Sequence, residues 1–440
     1  MATPTTNSVP TTTVDPAALG AGRFVFAGDK WGGALGEPVV LTYSFPTTNL
    51  YHTAAYGDYT NGGEWTKFFA LSAGEQAGVR AGLATWASVA NITFVETADD
   101  STTAGELRFA YTSFDNATEE AHAYLPSNDA WAGDVWFSFD NFNPTSASSI
   151  RVGGNDFETI IHEQGHALGL KHPFDAPNVI SPSHDSYFWT IMSYTAKAGG
   201  PDGLASFYPT TPMYNDLLTI QALYGRNTSH NADDTTYKFV DGRSYFQTID
   251  DAGGHDRIVY AGALASTIDL RQGHFSTPSK PIVFSDNTST RASVAIGPNS
   301  VIEDASGGSA GDKIFGNTAD NHLYGRGGND VLTGGAGHDA FFFNASLSAT
   351  SNVDRITDFH HGIDSFELAH GFFRHIATGT LTSAAFFVGT AAHDGNDHII
   401  YDRAHGALYF DADGSGQGAA IEFATVTAGL KLSAADFIIY

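Results

Sequence analysis

Residues 307–342 divide into four consecutive nine-residue units, GGSAGDKIF, GNTADNHLY, GRGGNDVLT and GGAGHDAFF. Self-similarity at so short a period marks a solenoid, because each unit is one turn and one short strand that buries its apolar residue only by stacking on its neighbours. A parallel β-roll has this period. The glycines permit tight turns and close backbone approach, while Ile314, Leu323, Leu332 and Phe341 supply one inward apolar side chain per unit. Asp312, Asp330 and Asp339, with Asn321 in the second unit, stand beside backbone carbonyls as hard oxygen donors suited to calcium.

Before residue 237 the pattern is different. Residues 38–45 (PVVLTYSF) are β-branched and aromatic, as in a strand. Val79, Leu83, Trp86 and Val89 fall at helical spacing, and Ser72 with Glu75 forms a capping box ahead of them. Further strands are expected at 92–95, 107–111 and 134–139, and further helices at 155–170 and 215–223. Strands interleaved with long helices predict an α/β domain, here followed by an all-β domain. The expected boundaries are a flexible leader or pro-segment over 1–20, a first domain over 21–235 and a β-roll over 236–440.

A formal net charge of −27, from 48 acidic and 21 basic residues, would repel nucleic acid and anionic membranes, so neither is an expected partner. With no cysteine there are no disulfides and no thiolate–metal sites, so bound metal is the candidate means of extra stabilisation. The first twenty residues lack the basic and apolar runs of a Sec-type signal peptide. No apolar stretch approaches the ~18 residues of a membrane span.

The first chemical motif is H-E-Q-G-H, His162 to His166. On a helix, positions i and i+4 share a face, so both imidazoles reach one ion with Glu163 beside it. Alone this is compatible with an ordinary surface helix. The run continues through Gly169 to His172. Were the helix continuous, His172 would lie ~15 Å from His162 at ~1.5 Å per residue, too far to share an ion. The helix must stop and reverse; Gly169 suits the left-handed C-terminal turn, and Pro173 prevents continuation. Three neutral imidazoles with an open fourth position describe a catalytic zinc site. Zinc would polarise a water, with Glu163 taking its proton and passing it to a leaving amine.

Downstream, T-I-M-S-Y-T carries Met192 and Tyr194. With the long zinc motif, this arrangement resembles the metzincin superfamily, and M-S-Y with H-A-L-G-L-K-H-P is similar to the serralysin family of bacterial metalloendopeptidases. The resemblance runs from about Trp31 through nearly the whole chain. It implies a metzincin zinc-protease domain followed by a calcium-binding (RTX) β-roll. It also implies Tyr194 as an additional zinc ligand that stabilises the oxyanion. Residues 134–137 (DVWF) resemble the family's edge strand, which pairs with extended substrate, and the segment from Thr211 resembles the helix that closes the protease domain.

The same resemblance places each calcium ion between units two apart. One site joins Asp312 with Asp330, and another joins Asn321 with Asp339. Gly308, Ala310, Asn317, Ala319, Arg326, Gly328, Gly335 and Gly337 are the turn positions. Ala310 stands where glycine is usual, and Asn321 removes a charge, so its site is expected to bind more weakly. D-D-A-G-G-H-D from Asp250 resembles the first calcium loop, implying Asp251, Gly253, Gly254 and Asp256. Its partner segment holds Asn231, Asp233 and Thr235, with Asn231 where the family carries arginine. Val301 and Glu303 match a further calcium position. F-D-A-D-G-S-G from Phe410 reads as a tight turn.

The final D-F-I-I-Y, residues 436–440, resembles the uncleaved export signal of type I secretion. It implies an extracellular destination, with the repeats unfolded where calcium is scarce and folded outside. The implied partners are protein or peptide substrates, the type I secretion machinery and a proteinaceous inhibitor, for a monomeric chain. The competing reading is a calcium-dependent surface-binding or adhesion protein with a vestigial metal site; the intact ligands, base and tyrosine speak against it.

Overall fold

The computed structural model describes residues 11–13, 25–49, 63–100, 103–142, 150–176, 179–198 and 204–440. The leader expected over 1–20 lies outside them except for Thr11–Thr13, which pair antiparallel with Asp29–Trp31. The chain forms two compact units: residues 1–230 with 245–248 and 282–289, and residues 231–244, 249–281 and 290–440. No helix of the described residues is long and apolar enough to cross a membrane.

The main sheet of the first unit contains β1 (Val39–Ser44), β2 (Ile92–Glu96), β3 (Leu107–Thr112), β4 (Ala121–Ala123) and β5 (Val135–Ser138), in the order β2-β1-β3-β5-β4. All pairs are parallel except β4 with β5. Parallel neighbours need a crossover, and α1 (Ala73–Val89) supplies it between β1 and β2. Ser72 caps α1 as the sequence predicts: its amide donates to Glu75 Oε2 at 2.6 Å while its Oγ accepts from the Glu75 amide at 3.4 Å. Val79, Leu83, Trp86 and Val89 are buried. The α2 helix (Asn155–Ala167) packs here, with Trp86 Nε1 donating to the Ile161 carbonyl at 3.3 Å and Gln164 Nε2 to that of Val79 at 2.9 Å.

One expectation is corrected. The DVWF segment is not the edge strand: all four residues of β5 are buried, and β4 lies outside it as the antiparallel edge. Val135 and Phe137 point to one side and Trp136 to the other, so both faces need cover. β4 is short and built of Ala121, His122 and Ala123, a composition that carries little strand signal.

In the second unit, successive repeats alternate between two parallel sheets. Asp304–Ser306, His322–Tyr324, Ala340–Phe343, Ser365–Leu368 and Phe437–Ile439 stack in one. Lys313–Phe315, Val331–Thr333 and Asp354–Ile356 stack in the other. Register places Ile314 beside Leu332 and Leu323 beside Phe341, and all four are fully buried. This is the β-roll the nine-residue period predicts. The terminal D-F-I-I-Y is its last strand and turn: Asp436 caps the turn through Ser433, and His361 Nδ1 donates to the Asp436 carboxylate at 2.8 Å.

Candidate active site and metal centres

The α2 helix ends at Ala167 in a Schellman turn. The Gly169 amide donates to the His166 carbonyl at 2.9 Å and the Leu170 amide to that of Gly165 at 2.9 Å. Gly169 has φ +103, and a Cβ there would lie 2.5 Å from the Asp29 carbonyl oxygen. The reversed chain then runs against residues 25–27, the Lys171 amide donating to the Val25 carbonyl at 2.7 Å. His172 thereby returns to the two helical histidines.

Each imidazole is oriented through its Nδ1. That of His162 donates to the Ile191 carbonyl at 2.7 Å, that of His166 to the Leu170 carbonyl at 2.9 Å, and that of His172 to Asp175 Oδ2 at 2.9 Å. Burial, the largest cause, drives His166 down to about 3 and holds His162 and His172 below the usual histidine range. The neutral rings therefore present lone pairs at Nε2, and those of His166 and His172 face each other at 3.1 Å. Two lone pairs at this distance repel unless a cation lies between them; ~3.3 Å is the separation for nitrogens ~2.0–2.1 Å from one tetrahedral zinc. The donor atoms of His162, His166 and His172 all lie within 4.8 Å of one another. The residues fit a divalent transition ion.

Glu163 lies beside this centre, 6% exposed, and its Oε2 has no hydrogen-bond partner among the described residues. Burial is the main cause raising its pKa to about 8; His122 works against that shift and Glu119 with it. A carboxyl poised near neutrality is matched to proton transfer. The Tyr194 hydroxyl donates to His172 Nε2 at 2.8 Å, and burial foremost, then Glu163, raises it to about 12. Met192 is fully buried, its Sδ directly under Gly165 of α2.

The expected calcium residues also converge in the second unit. The loops 231–235, 251–256 and 301–303 meet through Asp256, whose Oδ1 accepts from the Thr235 amide at 2.7 Å and whose amide donates to Glu303 Oε2 at 2.7 Å. Asp251 Oδ1 accepts from the Gly253 amide at 3.0 Å, Asn231 Nδ2 donates to the Asp250 carbonyl at 3.2 Å, and Gly254 lies against the Asp233 carbonyl. Asp256 Oδ2 is buried without a hydrogen-bond partner among the described residues. Val301 points outward, 43% exposed, so only its backbone is available to a ligand.

In the repeats, the Asp312 amide donates to Asp330 Oδ1 at 2.7 Å and the Asn321 amide to Asp339 Oδ1 at 3.0 Å, each across 18 residues. The Gly308 amide donates to Asp312 Oδ2 at 2.6 Å. Asp330 Oδ2 is buried without a partner among the described residues. Arg326, Gly328, Gly335 and Gly337 have positive φ, and the Ala310 and Ala319 carbonyls lie against Gly328 and Gly337. Asn321 is already engaged, its Nδ2 donating to the Glu303 carbonyl at 2.9 Å and its Oδ1 accepting from the Asn317 amide at 2.8 Å. The columns continue further than the sequence reading took them: the Asp330 amide donates to Asp354 Oδ1 at 3.0 Å and the Asp339 amide to Asp364 Oδ1 at 3.1 Å. An aspartate at or directly before the strand start, Asp354 and Asp364 here, was the available signal. The FDADGSG segment is a turn, with the Gly418 amide donating to Asp413 Oδ2 at 3.0 Å.

Comparison with known proteins agrees with this geometry. Residues 215–439 match the family model "Peptidase M10 serralysin C terminal", and residues 70–190 match "Matrixin". "Metallopeptidase AprA" of Pseudomonas marginalis is 32% identical over 452 residues, covering 90% of this chain and 89% of the relative. This chain belongs to the serralysin family. "Serralysin" of Photorhabdus luminescens is 32% identical over 279 residues, 58% of this chain and 54% of that protein. "Serralysin G" of Dickeya chrysanthemi is 31% identical over 325 residues, 68% of this chain and 63% of the relative. The matched part of the chain thus spans about half the length of the Photorhabdus relative. The family implies zinc for the histidine centre.

Three groups near the centre escaped the sequence reading. Asp216 on α3 (Tyr214–Tyr224) accepts from the Thr190 hydroxyl at 2.6 Å and from the Ile191 and Met213 amides at 2.8 Å each. His122 of β4 lies 3.3 Å from Glu64 and 2.8 Å from Glu119. Glu158, one turn before His162 on α2, is buried on the same face. Only Glu158 had a local signal, its i, i+4 spacing to His162.

Proposed function

We propose that this chain is a secreted, zinc-dependent endopeptidase of broad protein substrates, with a calcium-stabilised β-roll. His162, His166 and His172 would hold the zinc through Nε2, with Tyr194 as an additional ligand in the resting enzyme. When bound, the ion supplies Lewis acidity toward a peptide carbonyl and lowers the pKa of a water. Glu163 takes the proton of the attacking water and delivers it to the leaving amine. Tyr194 then donates its hydroxyl hydrogen bond to the developing oxyanion. β4, as the open antiparallel edge, receives the substrate backbone by strand addition.

The observation that carries this reading is Glu163: a buried carboxyl with an unpartnered Oε2 beside three converging, neutral imidazoles. Nothing in the site favours a vestigial centre. The calcium ions are assigned to the loops around Asp251, Asp256 and Glu303 and to the columns Asp312–Asp330 and Asn321–Asp339. The 21–235 and 236–440 division is taken as the functional one, and export by a type I system fits the family's C-terminal domain.

Glu163→Ala tests the mechanism. The variant is expected to keep one zinc per chain by metal analysis and to lose clearing of denatured casein. Retained hydrolysis would refute the role of Glu163, and loss of zinc from the wild-type chain without loss of activity would refute the metal.

A further inference from the structure

Glu158 has no task in the function proposed above. It is 4% exposed, and its Oε1 has no hydrogen-bond partner among the described residues. It lines the same cleft of about 700 Å³ that contains His162, Glu163 and Tyr194. An unpartnered buried carboxyl costs free energy unless a ligand completes it.

The charges of this cleft are one-sided. Among the described residues no lysine or arginine lines it, whereas Glu119 and Glu120 join Glu158 and Glu163 along its wall. His122 is drawn toward a positive charge, but it is matched twice, by Glu64 and Glu119. Burial, then Glu163, Glu120 and Asp216, raises the Glu158 pKa well above the carboxylate range. A cation entering from solvent offsets the repulsion among these carboxyls and gives the unpartnered Glu158 oxygen a donor. Tyr187, Tyr208 and Leu204 complete the wall with apolar surface against which a long alkyl stem can lie.

We propose that Glu158 is a specificity-determining residue, receiving the ammonium or guanidinium of a substrate lysine or arginine adjacent to the scissile bond. This rests on the peptidase reading and deepens it by naming the preferred side chain.

The test uses internally quenched peptides that differ only at the residues flanking the cleaved bond, carrying Lys, Arg, norleucine or Glu, with the full chain in zinc and calcium. Cleavage positions are read by mass spectrometry. For Lys and Arg, kcat/KM is expected to exceed that for norleucine by about tenfold or more, the worth of a charged hydrogen bond, with Glu the poorest. In Glu158→Gln the Lys-to-norleucine ratio is expected to collapse toward one; the ratio is the readout, whatever the absolute rate. Equal wild-type rates for Lys and norleucine overturn the assignment, as does a Lys preference that survives in Glu158→Gln. The wild-type comparison stands even if that variant fails to fold. If the zinc-loaded chain cleaves neither these peptides nor denatured casein, the peptidase reading falls first and this inference with it.

Discussion

The carbonyl of Ile191 accepts the Nδ1 proton of His162 at 2.7 Å, while the Ile191 amide donates to Asp216 Oδ2 at 2.8 Å. One peptide segment, just before Met192, thus fixes the tautomer of a metal-site histidine and is itself fixed by a buried carboxylate. Asp216 accepts three hydrogen bonds in all. Asparagine in its place would remove the charge and set its NH2 against the Thr190 hydroxyl, which would have to reverse to accept. Asp216→Asn is expected to weaken zinc affinity about 10–100-fold, the usual effect of losing an outer partner. Competition with a zinc chelator, with circular dichroism to verify the fold, measures it; unchanged affinity would rule out the coupling.

Gly165 and Met192 make a second such contact. A Cβ on Gly165 would sit 2.6 Å from Met192 Sδ and 3.3 Å from Trp86 Cζ2. Because both neighbours are fully buried, the intruding methyl has little room to be accommodated. Gly165→Ala is expected to cost about 1–3 kcal/mol of stability. Chemical denaturation gives the value, and a loss under ~0.5 kcal/mol would show that the methionine simply moves aside.

His122 predicts a pH dependence of stability. Burial acts to lower its pKa, but Glu64 and Glu119 together outweigh burial and raise it. On Glu64 burial acts upward and is outweighed by His122 among its partners, so its pKa falls. A histidine raised in the folded state contributes stability that is fully present below its unfolded pKa of ~6.5 and is lost as pH rises through the folded value. The difference in melting temperature between wild type and His122→Gln should therefore be largest near pH 6 and shrink above the folded pKa. A difference that grows with pH would contradict this assignment.

The aspartate columns give a prediction whose sign depends on calcium. Burial first and the Asp354 charge second raise the Asp330 pKa, so without a cation the two carboxylates destabilise one another. Asp330→Asn keeps the Oδ1 acceptor but removes one charge. In saturating calcium the variant should melt below wild type, and in chelator at or above it. A variant that melts lower in both conditions would mean that the carboxylate is needed for packing rather than for an ion. In chelator, circular dichroism of the wild type should also show the loss of β structure in the C-terminal half.

Much of this was legible because it is local. The reversal at Gly169, the capping box at Ser72 and the inward side chains Ile314, Leu323, Leu332 and Phe341 each follow from spacing within a turn or a repeat. What sequence did not reveal depends on contacts between distant segments. β4 gives little local signal, since Ala121 and Ala123 are strand-shaped only because β5 pairs with them, and DVWF could be told from an edge only once that partner was placed. Asp216 looks like an ordinary first-turn carboxylate of α3 until the Thr190–Ile191 segment is brought onto it.

The amide-to-carboxylate hydrogen bonds of the two columns all point one way. Asp312 leans on Asp330 and Asp330 on Asp354; Asn321 leans on Asp339 and Asp339 on Asp364. In every case the amide of the earlier turn needs the carboxylate of the later one. The backbone runs the other way between the same turns, the Val331 amide donating to the Asp312 carbonyl and the Ala340 amide to that of Asn321, each at 2.8 Å. Each pair of turns is therefore clasped from both sides, and losing either turn orphans an amide in the other.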